Sequence, residues 1–206
     1  TTAQSPSAHT LPRPLTRSTR PEGVPGATRS LIGSPPSVGT SIVAARAADT
    51  SVNRFAGKAK VLALGDPRKP EPVVLGSVIG MSTVEHCNAL IDDALAKGAK
   101  LVCGEKATST LMPATVLDHV TPAMRIYREE TFGPVKCIVR VKSTEEAIAC
   151  ANDNEYGLSA AVFGRDLARA FNVARKIDSG ICHINAPTVH DEAQMPFGGV
   201  KGSGYG

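Results

Sequence analysis

Apolar and polar residues follow two rhythms along most of this chain, one typical of helices and one typical of strands. Between residues 52 and 62 apolar side chains recur every three or four positions, which predicts an amphipathic helix that Gly65-Asp66-Pro67 ends. Residues 135–142 instead alternate apolar and basic side chains, as a strand with one exposed face does. Helical and extended segments are therefore both expected in one chain.

Further segments continue this alternation. "STVE" at 82–85 and "STEE" at 143–146 both have capping-box spacing before an apolar helical face, and Gly98 lies where a left-handed residue would end the first of these helices. Strands are predicted at "KLVCG", "LSAAVFG" and "ICHIN", and a helix over 166–180. Because strands and helices alternate, the predicted fold is α/β with a largely parallel sheet and flanking helices.

Residues 1–30 differ in composition from the rest. They are rich in Ser, Thr, Pro and Arg, with Glu22 as the only acid, and bury too little apolar surface to offset their ordering entropy. This predicts a disordered or loosely attached tail. The composition also suits an organelle transit peptide, although five prolines before Ala27 oppose the amphipathic helix such peptides form.

Charge and cysteine content exclude several classes of protein. The net charge of +4 is spread among acidic residues, which does not favour nucleic acid as a partner, and no apolar run reaches the roughly 18–20 residues that span a bilayer. The five cysteines are scattered without a C-x-x-C, which suits neither a disulfide framework nor a zinc site. These features predict a soluble protein in a reducing, cytoplasmic compartment.

The segment "EETFGPV" at 129–135 is a candidate binding site. An ionised glutamate beside Phe132 can accept two hydrogen bonds from a vicinal diol while the ring packs against a flat heterocycle. The alternative is that Glu129 and Glu130 only end a short helix at the surface. The residues themselves leave both interpretations open.

Other candidate groups carry weaker signals. His86-Cys87 and Cys182-His183 are neighbours on a predicted helix and a predicted strand, so their side chains diverge and form no catalytic dyad. His190, Asp191 and Glu192 are adjacent in extended chain, so their side chains diverge, and no histidine repeats at ligand spacing; no metal site is predicted. The glycine-rich end from Asn185 onward matches neither common phosphate-binding motif and favours a surface loop.

Four motifs in this order resemble the C-terminal half of the NAD(P)-dependent aldehyde dehydrogenases: "EETFGPV", "ANDNEYGLSAAVF", "GICHIN" and "MPFGGVKGSGYG". "INAPTVHDEAQMPFGGVKGSGYG" resembles the branch that acts on aromatic aldehydes such as salicylaldehyde, vanillin or benzaldehyde. The resemblance implies an incomplete catalytic domain at 51–206. A weaker likeness at "IGSPPSVGTSIVAARAA" implies a remnant of the dinucleotide-binding domain at 31–50.

The resemblance also implies roles for single residues. Glu130 would hold the nicotinamide ribose of NAD or NADP, and Phe132 would pack near the nicotinamide. Ser34 would touch a cofactor phosphate, although Pro35-Pro36 adds one residue to the family's spacing. The segment 185–197 would line the tunnel for the aldehyde, with three candidate substrate-binding residues: Asn185, His190 and Phe197. Members of the family form homodimers or homotetramers.

Two motifs of the family are not found. E-L-G-G-K supplies the general base and G-Q-x-C supplies the nucleophile, but here Ala48-Asp49-Thr50 runs directly into Ser51. Aldehyde oxidation in this family starts with a thiolate attack, so no catalytic residue is assigned and this chain alone is predicted to be inactive. The rival interpretation is a truncated, non-catalytic association module or a pseudoenzyme.

Overall fold

The computed structural model of this chain describes residues 40–189 and 192–204, with only the backbone described at Thr40 and Arg46. The predicted tail at 1–30 and the candidates Ser34 and His190 lie outside the described residues.

The described part alternates between strands and helices, as predicted. A short 3-10 helix at Arg125–Tyr127 precedes β4. The remaining elements, in chain order, are β1 Thr40–Ala44, α1 Ala45–Ala59, α2 Met81–Ala96, β2 Lys100–Cys103, β3 Thr115–Asp118, β4 Val135–Val141, α3 Thr144–Asn152, β5 Tyr156–Gly157, β6 Ser159–Val162, α4 Leu167–Ala174, β7 Ile181–Ile184 and β8 Val200–Lys201.

The main sheet has four strands in the order β1-β4-β3-β2. Strands β1 and β3 both run parallel to β4, with Thr40 opposite Cys137, whereas β2 is antiparallel to β3. Two smaller pairs complete the architecture, β6 parallel to β7 and β5 antiparallel to β8. The α/β class with a largely parallel sheet is confirmed.

Helices cover both faces of β4. Val139 and Cys137 belong to a core that includes the buried face of α2, whereas Ile138 packs in a second core with Val52 of α1. The expectation that β4 has one exposed face was therefore wrong at Ile138, because α1 covers the face that Ile138 shares with Lys136 and Arg140. A strand covered on both faces is typical of parallel sheets.

Helix α1 differs from its predicted bounds. It begins at Ala45, directly after β1, and ends at Ala59, so the predicted continuation through Leu62 was wrong. The predicted domain division at residue 50 falls inside this helix, and β1 pairs with β4 in the main sheet. The division itself stays a prediction about family relationships.

The two sequences with capping-box spacing behave differently. Ser143 is the N-cap of α3: its hydroxyl accepts a hydrogen bond from the Glu146 backbone N–H at 3.0 Å, and the Glu146 carboxylate accepts one from the Lys142 N–H at 2.7 Å. Helix α2 instead begins at Met81 with Gly80 as N-cap, so the capping role predicted for Ser82 was wrong. The left-handed Gly98 after α2 is present, with φ 97°.

This difference gives a matched pair of substitutions. Ser143→Ala is expected to lower the free energy of unfolding by about 1 kcal/mol, because it removes the acceptor for an orphan N–H of α3. Ser82→Ala is expected to change it by less than about 0.5 kcal/mol, because its hydroxyl caps nothing. Urea denaturation measures both, and equal losses would contradict the assigned N-caps.

Candidate functional site

The loop at residues 129–134 lies between the 3-10 helix and the amino end of β4, and two adjacent residues of α2 hold it. The protonated Nε2 of His86 lies 2.8 Å from the carbonyl oxygen of Glu130 and donates to it. The thiol of Cys87 donates to the carbonyl oxygen of Thr131 at 3.1 Å. Two successive peptide carbonyls of the loop are therefore fixed to one turn of α2.

Close packing explains the glycine in this loop. A Cβ on Gly133 would lie 2.7 Å from the Cys87 sulfur, which is nearer than two such atoms can approach. The hydroxyl of the buried Thr131 donates to the Gly133 carbonyl oxygen at 3.3 Å. The loop thus packs tightly on α2 while its neighbouring residues face solvent.

The two acidic residues of the loop have different surroundings. Arg125 binds Glu129 through two hydrogen bonds of 2.7 and 2.8 Å, and this contact holds the pKa of the Glu129 carboxyl below its usual value. The carboxylate of Glu130 has no ion pair or hydrogen bond to any residue in the described ranges. Glu129 therefore closes the short helix at the surface, and Glu130 is the carboxylate available to a ligand.

Phe132 has an unusual backbone conformation and an unusual environment. Its φ is 45°, in the left-handed region where bulky residues are strained, and the residue is 78% exposed. Strain of this kind persists only where the surroundings enforce it, and it concentrates at functional sites. The contacts from His86 and Cys87 provide that enforcement.

Two grooves meet at this loop and share Glu130, Thr131 and Phe132. One has a volume of about 640 Å³ and is mainly apolar, with Phe55, Leu62, Leu75 and Val116 among its lining residues. The other has a volume of about 510 Å³ and is more polar, with Ser82, His86, Arg128 and Tyr156 among its lining residues. The exposed ring of Phe132 thus separates an apolar groove from a polar one.

Two of the predicted substrate-binding residues, Asn185 and Phe197, lie away from this loop. Asn185 has φ 57°, and its side-chain amide accepts from the Gly164 N–H at 2.9 Å and donates to the Gly164 carbonyl at 3.0 Å. Phe197 is 56% exposed, and neither residue borders the two grooves at Phe132. Asn185 therefore joins the end of β7 to the turn after β6, and a role for either residue with substrate stays a prediction.

Four of the five cysteines lie in environments that disfavour thiolates. Burial raises the pKa of the thiols of Cys87, Cys103, Cys150 and Cys182. No cluster of three metal-ligating side chains occurs within residues 40–189 and 192–204. In the same ranges no helix has the length and apolar character needed to cross a bilayer.

Comparison with known proteins shows the family of this chain. The aldehyde dehydrogenase family pattern matches residues 37–206. Vanillin dehydrogenase from Pseudomonas fluorescens is 54% identical over 165 residues, which are 80% of this chain and 34% of that protein. Salicylaldehyde dehydrogenase from Pseudomonas putida is 49% identical over 165 residues, again 80% of this chain and 34% of the relative.

Solved structures give the same relationship. The salicylaldehyde dehydrogenase of Pseudomonas putida G7, complexed with salicylaldehyde, has a TM-score of 0.79 and 48% identity over 81% of this chain and 34% of its own. The NADP-dependent glyceraldehyde-3-phosphate dehydrogenase of Bacillus halodurans C-125, complexed with NADP, has a TM-score of 0.77 and 40% identity over 81% of this chain and 35% of its own. This chain therefore spans about a third of the length of these relatives, and it belongs to the aldehyde dehydrogenase family.

Proposed function

We propose that this chain carries the nicotinamide-positioning part of an NAD(P)-dependent dehydrogenase whose whole protein oxidises an aromatic aldehyde to a carboxylic acid. The aromatic substrate class is supported by the vanillin and salicylaldehyde dehydrogenases among its relatives. Nicotinamide chemistry is supported by the structural neighbours that were solved with NADP.

The observation that carries the proposal is the pairing of a partnerless carboxylate with an exposed ring on an anchored loop. The two oxygens of Glu130 can accept hydrogen bonds from the two hydroxyls of a ribose, and the Phe132 ring offers a flat apolar surface to the nicotinamide. The bound nicotinamide would supply the hydride acceptor for aldehyde oxidation. His86 and Cys87 orient the loop and keep both side chains in place.

Two neighbouring glutamates allow a controlled test. Glu130→Gln is expected to weaken NAD or NADP binding to this chain about tenfold, because the amide loses the charge and one of the two acceptor oxygens. Glu129→Gln is expected to leave the affinity within about twofold, because Arg125 already occupies the Glu129 carboxylate. Ligand-observed NMR titration measures both affinities.

The outcome of that titration decides between the two glutamates. Binding in the millimolar range is expected for the unmodified chain, because a single diol contact and one stacked ring leave most of a dinucleotide unbound. An unchanged affinity in Glu130→Gln, or a loss confined to Glu129→Gln, would contradict the proposal.

The same sequence supports a second, non-catalytic proposal. E-L-G-G-K and G-Q-x-C are not found in it, so the rival function is that of an association module or pseudoenzyme that retains the cofactor loop. Exposed apolar side chains around the larger groove, including Phe55 and Phe132, suit such a role. Sedimentation velocity of the chain alone distinguishes an associating module from a monomer.

A further inference from the structure

A third groove lies at the carboxyl edge of the parallel strands, at the opposite end of β4 from the Glu130 loop. It has a volume of about 600 Å³ and lies where the chain leaves β1, β4 and β6, at Ala44, Lys142 and Phe163. The seven residues of β4 separate the two places by roughly 20 Å. Crevices at the carboxyl ends of strands are where open α/β sheets bind ligands, and nothing in the proposed function uses this one.

Three cationic side chains border this carboxyl-edge groove: Lys142, Arg165 and Arg169. None of them forms an ion pair with a carboxylate of the described residues, and Arg169 donates to the hydroxyl of Thr144 at 2.6 Å. Other arginines of this chain, such as Arg125 and Arg128, do form such pairs. The groove therefore gathers cations whose charge is not neutralised by direct contact.

Two carboxylates also border the groove, but local donors engage both. Asp166 is the N-cap of α4 and accepts the Arg169 backbone N–H at 3.0 Å. Hydrogen bonds from its own backbone N–H and from the Ser143 hydroxyl lower the pKa of Glu145, and the nearby charges of Lys176 and Arg169 lower it further without direct contact. Three cations thus face two carboxylates that are already hydrogen-bonded, and the charge balance favours an anion.

Part of the remaining lining is apolar. Beside the hydroxyl-bearing Ser143 and Thr144, hydrocarbon surface comes from Ala44, Ala45 and Phe163, and Phe163 supplies an aromatic ring. A bare inorganic ion would leave this surface in contact with water, whereas an anion with a flat apolar part would cover it.

We propose that the carboxyl-edge groove binds a small organic phosphate, with the phosphate between Arg165, Arg169 and Lys142 and the apolar part against Phe163 and Ala45. Planar guanidinium groups match phosphate oxygens in pairs, and an ammonium group adds a point charge. The groove is separate from the nicotinamide-positioning loop, so this binding does not depend on the proposed function.

Phenyl phosphate is the probe, and an isotope-labelled sample of the whole 206-residue chain reports where it binds. Saturable backbone amide shifts are expected at residues 142–145 and 163–169, while the amides of 129–134 stay in place. The double substitution Arg165→Gln with Arg169→Gln is expected to weaken binding at least about tenfold, because two charge-assisted contacts are lost. Arg175→Gln, at the C-cap of α4 and outside the groove, is expected to change the affinity by less than about twofold.

Several results would overturn this assignment. One is the lack of saturable amide shifts at residues 142–145 and 163–169. Another is an unchanged affinity for phenyl phosphate in the double variant, provided that its spectrum otherwise matches that of the parent chain and so shows the same fold. If inorganic phosphate bound as tightly as phenyl phosphate, the apolar surface would contribute nothing to binding, and the assignment of an organic phosphate would be wrong. Lys142→Gln is a second variant with an exposed, unpaired side chain, and it too must weaken phenyl phosphate binding.

Discussion

Arg140→Ala is expected to lower the free energy of unfolding by about 3–5 kcal/mol, because it leaves a buried carboxylate without its partner. Asp118 is only 3% exposed, and Arg140 binds it through contacts of 3.0 Å from Nε to Oδ1 and 2.6 Å from Nη2 to Oδ2. Arg140 also contacts Asp49 at 2.7 Å, but the Asp49 side chain is 82% exposed. Asp49→Ala is therefore the matched control, with an expected loss below about 1 kcal/mol.

The pH dependence of the stability lost in Arg140→Ala tests whether the unpaired Asp118 carboxylate causes that loss. Burial raises the pKa of Asp118, but hydrogen bonds from the Arg140 side chain and the His119 backbone outweigh it and hold the pKa below its usual value. A carboxyl with a lowered pKa stabilises the folded chain fully at pH values above its unfolded pKa, which is about 3.9. This stabilisation is lost as the pH falls through the folded-state pKa. Without Arg140, burial dominates and the carboxyl protonates at higher pH.

Urea denaturation of the parent chain and of Arg140→Ala, at pH 7 and at lower pH, measures how the stability difference between them depends on pH. The difference in stability between the parent chain and Arg140→Ala is expected to narrow as the pH falls from 7, first as the Asp118 carboxyl of the variant protonates above about 4 and then as that of the parent chain protonates below it. Arg140→Ala combined with Asp118→Ala is expected to recover part of the loss, because no unpaired charge remains. A difference that is constant with pH, or a double variant weaker than Arg140→Ala, would contradict the ion-pair explanation.

The second large effect is the lack of turnover. The isolated chain with benzaldehyde, vanillin or salicylaldehyde and either NAD or NADP is expected to give no rise in the absorbance of reduced cofactor. In the proposed function Glu130 and Phe132 position a nicotinamide, but neither supplies the attacking sulfur that aldehyde oxidation in this family requires. Burial raises the pKa of four of its five cysteine thiols, so these thiols stay protonated at neutral pH.

The turnover assay has a positive control, and one result would contradict the predicted lack of activity. The full-length vanillin dehydrogenase of Pseudomonas fluorescens, assayed identically, serves as the positive control. Steady cofactor reduction that co-elutes with the chain and disappears in one Cys→Ala variant would identify a nucleophile that this account does not assign. Cys150 and Cys182, which are only half-buried, are the first variants to test.

Local patterns in the sequence predicted most elements of the fold but not all of their ends. "STEE" and "STVE" have the same spacing, yet only Ser143 caps a helix, because α2 begins one residue before Ser82. The end of α1 at Ala59 was also missed, since the apolar spacing continues to Leu62 in the turn that follows. Periodicity reports which face is apolar, and tertiary contacts decide where a helix stops.

The site was predicted in part. The motif "EETFGPV" identified Glu130 and Phe132 through a family resemblance, while the residues alone did not separate Glu130 from Glu129. Arg125, four residues before Glu129, was the available signal for that separation, because side chains at this spacing meet on a helical turn. The anchors His86 and Cys87 were missed, since 44 residues separate each from the carbonyl it binds and no local pattern links them.

The central claim is that the loop at residues 129–134 presents Phe132 to a nicotinamide ring, and intermolecular nuclear Overhauser effects test it most directly. The chain has five phenylalanines, so selective labelling of their rings gives spectra that single Phe→Leu variants can assign. With NAD or NADP present, we expect cross-peaks between nicotinamide protons and one ring, which disappear in Phe132→Leu. Cofactor binding with nicotinamide cross-peaks to Phe55, Phe163, Phe171 or Phe197 and none to Phe132 would contradict the account.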